Sequence, residues 1–158
     1  MSAIKRLQRE LISLREYSEF SCFPNDNNIF DWNVILFGPN ETPYEGGIFK
    51  AKLSFTPQYP NKAPKFQFIS KITHPNIYPD GRVCISILHE GVDQYGYESL
   101  SERWNPQQGI SSILLSILSI LGEPNFESPA NVDASVMWRK DISKMKKIIY
   151  KEVSKTQE

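Results

Sequence analysis

A chain of 158 residues, 40% hydrophobic and 23% charged, has the make-up of one globular domain large enough to bury a core without disulfides or metals, which excludes a disordered or fibrous chain. Its 18 basic and 18 acidic side chains cancel, so no global field draws it to nucleic acid or to an anionic membrane. No stretch approaches the roughly 20 apolar residues of a membrane span, and the first residues carry no apolar run of signal-peptide length. The expectation is a soluble, intracellular protein whose cysteines, Cys22 and Cys84, are free thiols.

Ile4, Leu7, Leu11 and Leu14 recur at helical spacing, with Lys5, Arg6 and Arg9 between them, and predict an amphipathic helix over about Ala3–Glu16 with a basic outer face. Asp31–Phe37 is apolar and β-prone. Phe49, Ala51, Leu53 and Phe55 alternate with Lys50, Lys52 and Ser54, the period of a half-buried strand, and Lys65–Ile69 is a further short strand. Turn residues at Gly38-Pro39-Asn40, Gly46-Gly47 and Pro57–Pro64 separate these runs. A helix followed by adjacent strands reads as an α+β fold with an antiparallel meander and helices at one side and the ends.

The middle, Lys71–Asn105, is punctuated by proline and glycine and has weak periodicity; long loops in compact domains are usually functional. Ile110, Ile113, Leu114, Ile117, Leu118 and Leu121 then mark a long central helix, with Asn105 expected as its N-cap, Pro106 as its first residue and Gly122 and Pro124 ending it. Two further helices follow, one beginning near Asn131 and one carrying Ile142, Met145 and Ile149. The seven basic residues against three acids from Arg139 to Glu158 form its outer face, which reads as plain amphipathic rather than membrane-binding. Residues 1–158 read as a single domain.

A free cysteine is most often a small packing residue, and Cys22, between Ser21 and Phe23 in a strand-like run, is read that way. Cys84 differs by its company. It follows a tight turn at Pro79-Asp80-Gly81 and lies eight residues after Asn76, in a loop where Pro75 forces His74 out of helical conformation. An amide beside a thioester can donate to the oxyanion of an acyl-transfer intermediate, and it can equally serve only its own turn. A cysteine-protease dyad would need His74 or His89 as an oriented base, and the sequence supplies no orienting partner for His89. Two cysteines and two histidines without a Cys-x-x-Cys pair do not make a zinc site. Gly46-Gly47 lacks the Lys and Ser/Thr of a phosphate loop, so no cofactor is expected on the chain itself.

The run His74-Pro75-Asn76-Ile77-Tyr78-Pro79-Asp80-Gly81-Arg82-Val83-Cys84-Ile85-Ser86-Ile87-Leu88 strongly resembles the active-site signature of ubiquitin-conjugating enzymes. Further matches fall in order at Gly38-Pro39, Tyr44-Glu45-Gly46-Gly47, Phe55–Pro64, Arg103-Trp104-Asn105-Pro106 and Glu123-Pro124-Asn125, so the resemblance covers Ile4 to about Tyr150. The acidic insertion at about 89–103 and the segment Ser128–Ser135 with Trp138-Arg139 are similar to the long-loop class of the yeast conjugating enzyme of endoplasmic-reticulum-associated degradation and its human G-type counterparts.

That resemblance implies a fold of one N-terminal helix, a four-stranded antiparallel meander, an active-site loop, a long central helix and two C-terminal helices. It implies a ubiquitin thioester on Cys84, an oxyanion donor at Asn76 and an aromatic wall for the acceptor lysine at Tyr78. Many relatives place an acid near that lysine where this chain has Ser128, with Glu127 adjacent; the acidic loop, through His89, Glu90 and Asp93, is expected to supply it and to gate Cys84. Lys5, Arg6 and Arg9 match the surface that meets the activating enzyme, which consumes the ATP. Asn61, Lys62 and Ala63 together with Asn105, Pro106 and Gln107 match the loops that dock RING-type ligases, although the usual aromatic anchor is absent at Asn61. The class further implies chains of the lysine-48 type, proteasomal degradation, and a cytoplasmic location that extends to the cytosolic face of the endoplasmic reticulum and to the nucleus. A non-catalytic scaffold of the same fold and a carrier of another ubiquitin-like modifier are the competing readings; retention of Cys84 opposes the first.

Overall fold

A computed structural model of the chain describes residues 2–158. Helix α1 (Ala3–Leu14) is capped by Ser2, whose side chain accepts from the Lys5 N–H. Its buried residues are Ala3, Leu7 and Leu14, with Leu11 partly covered, whereas Ile4 is 45% exposed. The core stripe therefore starts at Ala3, four residues before Leu7, and the larger Ile4 is rotated off it.

Strands β1 (Phe20–Asn25), β2 (Asn28–Phe37), β3 (Ile48–Ser54) and β4 (Lys65–Phe68) form one sheet in the order β1-β2-β3-β4, every pair antiparallel. The registers Val34–Ala51, Leu36–Phe49, Ala51–Phe68 and Leu53–Phe66 place these residues on one face, and all are buried, while Lys50 and Lys52 stand on the other. Trp32 on the same inner face is fully buried and donates its indole N–H to the Ile29 carbonyl.

A one-turn 3-10 helix at Ser86–Leu88 leads into the acidic loop, after which α2 (Ile110–Gly122), α3 (Val132–Lys140) and α4 (Ile142–Thr156) complete the fold. Six apolar residues of α2, all those of the expected stripe, are buried in the cluster that includes the sheet's inner face. This is the α+β meander expected from the sequence. Asn131 caps α3 through the Ala134 N–H, and Asp141 caps α4 through the Lys144 N–H. On α4, Met145, Ile149 and Val153 face the core and the lysines face outward. Among the described residues no helix is long and apolar enough to cross a membrane.

The start of α2 departs from expectation. It begins at Ile110, not at Pro106, and Asn105 instead closes a tight turn, its Oδ1 accepting from the Gln107 N–H. The Ile110 N–H finds its acceptor a hundred residues away, at Glu10 Oε1 of α1 (2.8 Å). Gly109 makes room for that carboxylate: a Cβ there would sit 2.7 Å from Glu10 Oε1. A helix end needs acceptors for its free N–H groups, and here α1 supplies one that no local capping pattern reveals.

Candidate active site

The site is built on the edge strand β4. The Phe68 N–H donates to the Gly81 carbonyl (2.9 Å) and Gln67 Nε2 to the Asp80 carbonyl (2.6 Å), and this pins the turn before Cys84 to the sheet. The turn is closed by Gly81 N–H to the Tyr78 carbonyl and by Tyr78 N–H to the Arg82 carbonyl. Gly81 has φ +96°, and a Cβ there would lie 2.1 Å from the Phe68 carbonyl oxygen, so only glycine fits. From this turn the chain runs back so that Ile77 bridges Val83 and the Cys84 N–H donates to the Asn76 carbonyl (2.9 Å). Residues eight apart in sequence are thereby set side by side.

His74 is fully buried and holds the other end of the loop. Its Nδ1 accepts from the Asn76 N–H (2.9 Å), which places the ring proton on Nε2, 2.6 Å from the Ile120 carbonyl of α2. Burial pulls its pKa down to about 4, partly opposed by the hydrogen bond to that carbonyl. His74 is thus a neutral structural brace and no base for Cys84. The Pro75 carbonyl accepts from the Ala130 and Asn131 N–H groups, joining the loop to the start of α3. On the far side Tyr44 donates to the Thr73 carbonyl, and Glu152 of α4 accepts from both the N–H and the hydroxyl of Thr73.

Cys84 is half-buried and opens onto a cleft of about 1270 Å³ whose walls include Asn76, His89, Asp93, Glu98, Asn125, Glu127 and Ser128. Burial raises the thiol pKa, a hydrogen bond from the Tyr78 side chain lowers it, and the charge of Glu98 raises it. The net shift is upward. The thiol is not activated by an adjacent base, which suits exchange with an already activated thioester and opposes a protease-type dyad. Cys22 is pushed up to about 12 by burial alone and is inert at neutral pH. The Tyr78 ring is itself held in place, with the Arg82 guanidinium 4.7 Å from its centre and that guanidinium paired to Asp80 at 2.7 Å.

The Asn76 carboxamide is 2% exposed and clamped on the backbone of Asn125: Nδ2 donates to the carbonyl (2.7 Å) and Oδ1 accepts from the N–H (2.9 Å). The pair fixes which end of the amide is which. It also leaves the second Nδ2 proton outside the clamp.

The acidic loop is closed by the Trp104 N–H on the His89 carbonyl (2.8 Å) and organised inside by Asp93, whose carboxylate accepts from the Tyr95 and Glu98 N–H groups and is held below the usual carboxylate range by them. His89 does have an orienting partner, contrary to the sequence reading: Glu98 lies 2.9 Å from its Nδ1 and also binds Arg103 Nη1 at 2.8 Å. Glu98 lines the cleft and its charge acts on the Cys84 thiol; the sequence pattern places it in the acidic loop without singling it out. Asp93 and His89 line the cleft with it. Glu90 does not; its carboxylate turns to the opposite side, onto Ala63 and Lys62.

The loops at 61–63 and 105–107 are linked through Trp104. Trp104 donates its indole N–H to the Pro60 carbonyl and its ring lies tilted against Tyr59, 5.7 Å between centres, which ties the segment before Asn61 to the one before Asn105; most of Asn61–Ala63 and Asn105–Gln107 is exposed. Lys5 and Arg9 are exposed on α1. Arg6 is tied down: its guanidinium donates to the Pro106 carbonyl (3.1 Å), the Gln108 carbonyl (2.8 Å) and Glu10 (3.0 Å). No group of three or more His, Cys, Asp or Glu that could hold a metal ion occurs among the described residues.

Comparison with known proteins agrees with this geometry. The family model described as ubiquitin-conjugating enzyme matches residues 6–153. The human ubiquitin-conjugating enzyme E2 G2 (Homo sapiens) is 47% identical over 165 aligned positions, covering 98% of this chain and 96% of the relative. Ubiquitin-conjugating enzyme E2 7 of Triticum aestivum is 51% identical over 136 positions (86% and 81%), and the probable ubiquitin-conjugating enzyme E2 7 of Caenorhabditis elegans 53% over 135 (85% and 82%). With a family match over nearly its whole length and an accessible thiol at the signature position, the chain belongs to the ubiquitin-conjugating enzyme family, acyl transferases that work with ubiquitin, an activating enzyme and a ligase.

Proposed function

We propose that this conjugating enzyme carries ubiquitin on Cys84 and, with a RING-type ligase, passes it to lysines of substrates and of ubiquitin itself, building lysine-48-type chains on clients of endoplasmic-reticulum-associated degradation. The observation that carries the reading is the opening of the half-buried Cys84 thiol onto an acidic cleft, whereas Cys22, equally half-buried, does not line that cleft and has its pKa pushed up to about 12.

In the first step the Cys84 thiolate attacks the thioester carbonyl on the activating enzyme, a new carbon–sulfur bond forms, and the activating enzyme's thiolate leaves; ATP is spent there and not on this chain. In the second an acceptor lysine, having lost its proton, attacks the Cys84 thioester carbonyl. The free Nδ2 proton of Asn76 stabilises the oxyanion, the attacking nitrogen releases its extra proton to water, and the amide forms as Cys84 leaves as thiolate. Tyr78 walls the path of the lysine. The acid missing at Ser128 is replaced from the acidic loop, where Glu98, paired with His89 and Arg103 at the wall of the cleft, is the carboxylate that attracts the ammonium once it is free to turn toward it. Asp93 shapes the loop that gates the cleft.

Lys5 and Arg9 remain available for the activating enzyme, while Arg6 serves the loop at 106–108. A cytoplasmic enzyme recruited to the cytosolic face of the endoplasmic reticulum fits the long-loop class. The test is a chain-building reaction with ubiquitin, activating enzyme, ATP and RING ligases of the endoplasmic-reticulum membrane, read by linkage mass spectrometry. Ligase-stimulated chains dominated by lysine-48 linkage support the reading. Absence of stimulation, or chains of another linkage, contradicts it.

A further inference from the structure

Glu90 links two places that the reaction keeps apart. Its Oε1 accepts from the Ala63 N–H at 2.8 Å and its Oε2 lies 3.5 Å from Lys62 Nζ, both on the loop read as ligase-docking. Its backbone carbonyl accepts from Arg103 Nη2 (2.9 Å), while Nη1 of the same guanidinium binds Glu98, which in turn orients His89 at the cleft. A line of polar contacts thus runs from Lys62 and Ala63 through Glu90, Arg103 and Glu98 to the wall of the Cys84 cleft.

We propose that Glu90 is a positioning residue that latches the acidic loop to the docking loop, and that a ligase seated on Lys62 and Ala63 releases it. The inference rests on the ligase-docking reading of that loop. The side chains of Lys62 and Glu90 are 56% and 42% exposed, so water and a docking partner both compete for their contact. A partner that takes over the Ala63 N–H or the Lys62 charge displaces the Glu90 carboxylate, which contacts both. While the carboxylate is latched, the Glu90 main chain is held where its carbonyl accepts from Arg103 Nη2, and Arg103 so placed keeps the Glu98 carboxylate engaged. Once released, the loop loses that anchor and Glu98 can turn to the acceptor lysine.

The test is single-turnover discharge of pre-charged protein to free lysine, with and without a RING domain. Loss of the latch in Glu90→Ala raises ligase-free discharge roughly three- to tenfold, the scale of one partly exposed charge-assisted hydrogen bond, and shrinks the stimulation by the RING domain in proportion. Glu90→Gln, which keeps an acceptor for Ala63 but no charge for Lys62, gives a smaller rise matched by Lys62→Ala, and the Glu90→Gln/Lys62→Ala double variant exceeds neither. A ligase-free rate equal to wild type in Glu90→Ala overturns the proposal, as does full additivity of the Lys62 and Glu90 substitutions. A changed half-saturating RING concentration with unchanged ligase-free discharge also overturns it, since Glu90 would then only shape the docking surface. If wild type is not stimulated by RING domains at all, the docking reading falls, while the ligase-free arm still decides whether Glu90 restrains discharge.

Discussion

Cys84 and Cys22 differ in the chemistry their surroundings allow. Because burial raises the Cys84 pKa, its thiolate fraction is small at neutral pH and grows with pH, so initial charging rates rise steadily from pH 7 toward pH 9 in a stopped time course. Tyr78→Phe removes a group that stabilises the thiolate; it slows charging at pH 7.5 several-fold, on the order of the 1 kcal/mol typical of one hydrogen bond, and shifts the pH profile upward. Cys22, pushed up to about 12, stays unmodified when the native protein is treated with iodoacetamide at pH 7.5, and mass spectrometry places the label on Cys84. His74 gives a second pH effect. Its folded pKa of about 4 lies below its ordinary 6.5, so the unfolded chain binds the extra proton first as pH falls; stability is full above about pH 6.5 and declines toward pH 4. The slope is up to about 1.4 kcal/mol per pH unit, measurable by urea denaturation, and it flattens in His74→Gln.

Among the elements, what was legible and what was not divides by the range of the contacts. The alternation from Phe49 to Phe55 gave β3 directly, and the stripe from Ile110 to Leu121 gave α2, because both patterns repeat within a few residues. The start of α2 was misplaced at Asn105 and Pro106 because the group that satisfies it, Glu10, comes from the other end of the chain. In the same way Ile4 fits the helical spacing of a core residue, yet it is Ala3 that packs and Ile4 that stays exposed. At the site, the nearness of Asn76 and Cys84 was legible from the turn between them. The Asn76–Asn125 clamp and the Glu98–His89–Arg103 cluster were not, because each depends on loops brought together by the fold. Glu10 also accepts from Tyr59 and Arg6, so Glu10→Ala uncaps α2 and frees both. It costs about 2–4 kcal/mol in urea denaturation, whereas Glu10→Gln, which retains an acceptor for Ile110, costs less than half of that.

For the whole molecule, the sheet fixes the turn at 79–81, α2 and α3 fix the loop at 74–76, and the acidic loop covers the remaining side of the Cys84 cleft. The same frame carries α1, the loops at 61–63 and 105–107 and the thiol on one small domain, with α1 tied to the second loop through Arg6. The central claim is that this frame serves a single acyl-carrying atom. The most direct test incubates the protein with ubiquitin, activating enzyme and ATP and separates the products on a non-reducing gel. The account predicts a thiol-sensitive adduct that Cys84→Ala abolishes, that Cys84→Ser converts to a thiol-resistant ester, and that Cys22→Ala leaves intact; an adduct that persists in Cys84→Ala would contradict it.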